Sequence, residues 1–168
     1  MKTGKTVKVL LTAATAAGML AGCGSKTDTD TFRFASELDI QGMDSTVVED
    51  GMSFNAVHAI TDGLTAVNEK GKTAPAIAKS WDVSDDGKTY TFHLRDAKWS
   101  NGDKVTANDF VYSWRKIIKN AGNYAYMLGS GGASVKNADA LMELGANATD
   151  EQMNTLGVKA TDDKTLVV

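Results

Sequence analysis

One cysteine, one proline and two histidines are all that the 168 residues contain of the types that staple a chain, bend it sharply or supply imidazole chemistry. A single cysteine, Cys23, excludes any disulfide within the chain. There is no Gly-x-Ser-x-Gly elbow for a serine nucleophile and no His-Glu-x-x-His pair for zinc. His58 has no second histidine four residues on and no nearby cysteine, so it reads as a structural residue rather than a metal ligand. Asp82, Ser84, Asp86 and Gly87 imitate the start of a calcium loop, but the twelfth position is His93 where a bidentate glutamate is needed; the stretch reads as a turn. Gly129-Ser-Gly-Gly132 has no strand leading into it and no Lys-Ser/Thr pair after it, and reads as a turn rather than a phosphate loop. Positive charge is also short: the formal net charge is −3, which makes the chain a poor partner for nucleic acid. These absences leave no support for catalysis, a metal or a cofactor.

What is present is concentrated between residues 74 and 115. Asp85-Asp86-Gly87 is a turn signal. Trp81 and Val83 alternate before it, and Tyr90, Phe92 and Leu94 share one face after it, so the stretch predicts a β-hairpin with one buried side. Asn101-Gly102-Asp103 marks a second turn. Thr106 and Asp109 have the spacing of a capping box, and Phe110, Val111, Trp114, Ile117 and Ile118 recur at helical spacing; Asn120-Ala-Gly122 ends that helix. Further helices are expected at Ser53–Leu64, with Ala56, Val57, Ile60 and Leu64 on its apolar face, at Asn137–Leu144, and after the capping box Thr149–Gln152. Val67 to Lys72 reads as a turn. Phe32 to Leu38 alternates as an opening strand, and 158–168 reads as a second hairpin.

The N-terminus carries an independent signal. Lys2, Lys5 and Lys8 precede Val9 to Leu20, a stretch of apolar and small residues too short to cross a bilayer as a permanent helix. Leu20-Ala-Gly-Cys23 is the pattern of a lipoprotein signal cut just before the cysteine, with thioether lipidation of Cys23 as the natural use of that thiol. The expected layout is therefore a signal peptide at 1–22, a small and polar tether at 23–31, and a folded region from 32 to 168.

The order Pro75-Ala76, Ala78-Lys-Ser-Trp81, Ser84-Asp-Asp-Gly-Lys-Thr-Tyr-Thr-Phe92, Leu94-Arg95, Lys98-Trp-Ser-Asn-Gly102, Val105-Thr-Ala107 and Asp109-Phe-Val-Tyr-Ser-Trp114 resembles the extracytoplasmic oligopeptide-binding proteins of ABC importers. The resemblance implies a mixed fold, α+β or α/β, forming the N-terminal lobe of a two-lobed periplasmic-binding-protein-like architecture, here truncated, with ligand enclosed by closure of the lobes. It implies an oligopeptide ligand, a transmembrane permease as partner, membrane attachment through the lipid anchor, and no cofactor. Where the family commonly has Leu-Asp-Pro, this chain has Met43-Asp44-Ser45. In the family's cleft-lining segment stand Glu49, Asp50 and Gly51, whose carboxylates would meet cationic groups of a peptide and whose backbone would pair with an extended ligand. The same three residues also read as a polar surface loop. Tyr124 occupies the position of a family tyrosine that reaches the cleft, and reads equally as a core aromatic. A lipid-anchored surface protein for protein contacts or peptide-pheromone sensing is the alternative function.

Overall fold

The computed structural model describes residues 35–120 and 122–168. The chain divides into two units, Met1–Ser36, of which Ala35 and Ser36 are described, and Glu37–Val168, which carries every element below. The expected signal peptide, Cys23 and the tether lie outside the described residues, as do Phe32 and Phe34. The described end of the expected opening strand, 35–38, is not a strand, and Leu38 is exposed.

Helix α1 (Gly51–Ile60) starts two residues before the apolar pattern predicts. Its first turn is set by Asp50, whose backbone is extended and whose carboxylate accepts from the Ser53 amide at 2.8 Å, satisfying a donor the helix leaves free. Ala56 and Val57 are buried as expected, but Ile60 is 70% exposed and Leu64 lies beyond the helix. The cause is Thr61, whose amide and hydroxyl both return to the Val57 carbonyl and close the helix there. The turn after Val67 joins two short strands, β1 (Thr65–Val67) and β2 (Thr73–Pro75), which are antiparallel and too short to show alternation in the sequence.

The expected hairpin is β3 (Ala78–Val83) and β4 (Tyr90–Leu94). At its turn Gly87 has φ 68°, and the Asp86 carboxylate accepts from the Ser84 hydroxyl and the Lys88 amide; the calcium-like spelling serves this turn. Burial rises along β4 to Leu94 at 2% exposure, while Val83 is 46% exposed and does not point inward. Only the end of the hairpin away from the turn joins the core.

Helix α2 (Ala107–Asn120) begins with half of a capping box: the Asp109 carboxylate accepts from the Thr106 amide at 2.7 Å, and the Thr106 hydroxyl turns toward the same carboxylate at 3.2 Å. Val111 and Ile118 are buried, with Phe110 and Trp114 packed at the margin of the same core. A 3-10 turn at Ala125–Met127 follows, then α3 (Ala138–Leu144), a second 3-10 turn at Gly145–Asn147, and α4 (Asp150–Met153). The capping box at Thr149 is complete, with Gln152 reaching back to the Thr149 amide at 2.8 Å. Thr149→Ala should therefore lower stability by about 1 kcal/mol, visible as a shift of the urea midpoint at constant slope.

The last two strands, β5 (Lys159–Asp162) and β6 (Thr165–Val167), form the second hairpin. It joins the first with β6 inside, in the order β3-β4-β6-β5, every pairing antiparallel. Helix α2 packs across β5 and β6. Leu94, Ile118, Met153 and Leu166 are the large side chains fully withdrawn from solvent there. The mixed α and β class expected from the sequence is the class observed.

Candidate ligand-binding site

Residues 41–50 contain neither helix nor strand, so their amides must find partners elsewhere. Ser53, fully buried on α1, supplies the first: its hydroxyl oxygen accepts from the amides of Gln41 at 2.9 Å and Gly42 at 3.2 Å. Asp44 supplies the second. One of its carboxylate oxygens accepts from the amide and the hydroxyl of Thr46 at 3.0 and 2.7 Å, and its carbonyl accepts from the amides of Val47 and Val48. The other carboxylate oxygen takes the Lys116 ammonium at 2.6 Å. The Asn120 side-chain amide donates to the Thr46 hydroxyl at 3.2 Å. Gly122 passes so close that a Cβ there would lie 2.9 Å from the Thr46 carbonyl oxygen. The loop is thus bound to the C-terminal end of α2 and to the segment after it.

Lys116 first, then the hydroxyl and amide of Thr46, hold the Asp44 carboxyl down from its ordinary 3.8 to about 2. A carboxylate whose pKa is depressed by folding contributes stability that is fully present above the unfolded value and lost as the pH falls toward the folded one. The loop should therefore loosen between about pH 4 and pH 2. An NMR titration of the Asp44 side-chain carbon should give a midpoint near 2, rising toward the ordinary carboxylate range in Lys116→Ala.

On this frame the four residues singled out in the sequence take different roles. Glu49 is exposed, and among the described residues no hydrogen bond or ion pair reaches its carboxylate. Asp50 is engaged as the cap of α1, and Ser53, through its hydroxyl and then its amide, holds the Asp50 carboxyl below its ordinary value. One of its carboxylate oxygens is thus engaged in capping the helix, while the residue remains partly exposed. Gly51 is exposed, and nothing lies within 4 Å of where its Cβ would stand, so its backbone is open to solvent. Tyr124 is 40% exposed and is not a core aromatic. Its ring meets Phe54 edge-on, with centroids 4.9 Å apart and planes at 86°.

Phe54 is the residue sequence reasoning passed over. It sits one turn after Asp50, half-buried on α1, and carries Tyr124 to the helix that begins at Gly51. Its place in the first turn beyond the predicted cleft segment is the signal that points to it. The loop thus ends in an exposed carboxylate at Glu49, and the helix that follows it carries an edge-to-face aromatic pair, Phe54 with Tyr124.

An open concavity of about 740 Å³ lies elsewhere, with Arg95, Lys98, Lys104 and Lys164 around Asp96 and Asp163. Two of its cations are paired, Arg95 with Asp62 and Lys164 with Asp96, both at 3.2 Å. None of the four predicted residues lines it. Among the described residues there is no group of three or more side chains placed to hold a metal ion, and no helix is long and apolar enough to cross a membrane.

Three comparisons bear on this geometry. The family described as bacterial extracellular solute-binding proteins, family 5 Middle, matches residues 72–168, a span that includes Tyr124 and leaves out Glu49 to Gly51. The dipeptide-binding protein of Lactococcus lactis is 40% identical over 172 residues, covering 100% of this chain and 30% of that protein. Among solved structures, the substrate-binding domain of an oligopeptide ABC transporter from Bacillus anthracis aligns with a TM-score of 0.70 at 37% identity, over 80% of this chain and 25% of that one. Listeria monocytogenes OppA bound to peptide aligns with a TM-score of 0.65 at 40% identity, over 75% of this chain and 24% of that one. The chain spans less than a third of the length of these proteins.

Proposed function

Since the chain belongs to the family 5 bacterial extracellular solute-binding proteins, we propose that it is part of the receptor of an ABC peptide importer, capturing extended oligopeptides outside the cytoplasmic membrane and handing them to a transmembrane permease. The observation that supports this most is that Glu49 and Gly51 are both exposed at the start of the helix whose Phe54 packs edge-on against the exposed Tyr124. A receptor that reads mainly the main chain of its ligand tolerates many side chains, which suits a nutrient importer. The aromatic pair and Glu49 would add a preference for peptides with an aromatic or cationic group at one position. The activity is binding, with no chemical step.

In this proposal residues 1–22 are removed as a signal peptide, Cys23 carries the lipid, 24–31 are the tether, and 32–168 are the N-terminal part of the binding domain. Titration calorimetry of the full-length protein with short peptides of defined sequence should give saturable binding. A folded protein that takes up none of them would reject the proposal. Attachment is tested separately: Cys23→Ser should remove incorporation of labelled palmitate in cells, and label retained by the variant would rule out the anchor at Cys23.

A further inference from the structure

We propose that Lys116 and Asn120 are positioning residues for the ligand loop, holding Asp44 and Thr46 so that Glu49 to Gly51 stand in place before a peptide arrives. The inference rests on the peptide-receptor reading above.

The two residues lie four apart on α2 and so share one face of it. The helix is fixed by Ile118, fully buried in the core between them in sequence. From this rigid base Lys116 donates to one carboxylate oxygen of Asp44 at 2.6 Å, and Asn120 donates to the Thr46 hydroxyl at 3.2 Å. The Thr46 hydroxyl in turn donates to the other oxygen of Asp44 at 2.7 Å. The four side chains close a ring whose fourth side is the helix itself. Thr46 is buried at 9% exposure, and Gly122 closely approaches its carbonyl oxygen. On the loop side, the Asp44 carbonyl carries the amides of Val47 and Val48, the last residues before Glu49. A displacement of Asp44 is therefore passed directly to the predicted contact residues.

The physical value of such a ring lies in binding rather than folding. A partly exposed ion pair adds little to global stability because water and salt screen it. A loop without a strand ladder, however, must be ordered when a ligand pairs with its backbone, and that entropy is charged against affinity. If the ring keeps the loop in its competent form, the apparent affinity is spared the factor by which an untied loop would be depopulated. A residue that merely decorated the surface would leave affinity untouched, and one that merely held the fold would lower the melting temperature.

The test uses the full-length protein and a peptide that binds the wild type. Lys116→Ala should weaken binding about tenfold with little change in melting temperature, and Lys116→Arg should restore most of the loss. Lys116→Ala with Asp44→Asn should be no weaker than Lys116→Ala alone, since both break the same link. Amide hydrogen exchange at Val47 and Val48 should quicken in Lys116→Ala. Equal affinity in wild type and Lys116→Ala would overturn the inference. If the wild type binds no peptide, the receptor reading fails first; exchange at Val47 and Val48 then decides on the ring alone, faster exchange supporting it and unchanged exchange overturning it.

Discussion

Leu166→Ala is expected to lower the stability of the chain by about 3–5 kcal/mol, a large share of the ~5–15 kcal/mol by which a domain of this kind is stable. Leu166 has no solvent exposure and stands in the middle of β6, level with Phe92 on β4 and Ala160 on β5. It belongs to the one core that the two hairpins and α2 share. Truncation removes its apolar contacts and leaves a cavity whose walls belong to three elements, which relax poorly together. The control is Val67→Ala: Val67 is 76% exposed in a separate two-stranded pair, and its loss should fall within about 0.5 kcal/mol. Urea denaturation of both variants reads the difference. A loss below about 1 kcal/mol at Leu166 would contradict the placement of β6 between β4 and β5.

Tyr124→Ala is expected to weaken peptide binding by about tenfold or more while the melting temperature moves little, because the ring is 40% exposed and, among the described residues, meets one aromatic partner, Phe54. Phe54→Ala should do the same to affinity but also lower stability, since Phe54 is half-buried on α1. The two acids should part company. Glu49→Ala is expected to reduce affinity for peptides with a cationic group near the contact and to leave folding unchanged. Asp50→Ala removes the cap of α1 and should shift the denaturation midpoint downward, with affinity falling only through the helix. Calorimetric titration beside thermal melts of the same four variants separates these cases. Unchanged affinity in both Tyr124→Ala and Glu49→Ala would remove the site from this face of the protein.

Where apolar spacing was long and its caps were strong, the sequence was a good guide. The helix from Ala107 to Asn120, the hairpin about Gly87 and the capping box at Thr149 are all found where their residues point. Each of these is local: the partners that fix the element lie within a few residues of one another. The errors came where a polar contact overrode periodicity. Asp50 moved the start of α1 forward and Thr61 ended it early, so Ile60 faces water although its spacing marks it for the core. Val83 is exposed because α2 packs over β5 and β6 and leaves the turn end of the first hairpin uncovered, a fact about distant strands. The site divided in the same way. Glu49, Asp50, Gly51 and Tyr124 were proposed from residue types in a resembling segment. The bond from Lys116 to Asp44 spans 72 positions, and no short-range pattern contains it.

The strand order β3-β4-β6-β5 has a consequence in time. The first hairpin forms from neighbouring residues, but its strand β4 meets β6 only through pairs such as His93 with Thr165. Contacts so far apart in the chain fold slowly, because the intervening segment must close before the pairing rewards it. At ~5–20 residues per second of synthesis, β4 emerges several seconds ahead of its second neighbour, with one edge unsatisfied and Phe92 uncovered. Such an edge is a place for a chaperone to hold. On the proposed route out of the cell that wait is useful: a polypeptide whose sheet cannot close early remains slack enough to be threaded through a narrow pore, and completes its folding on the far side.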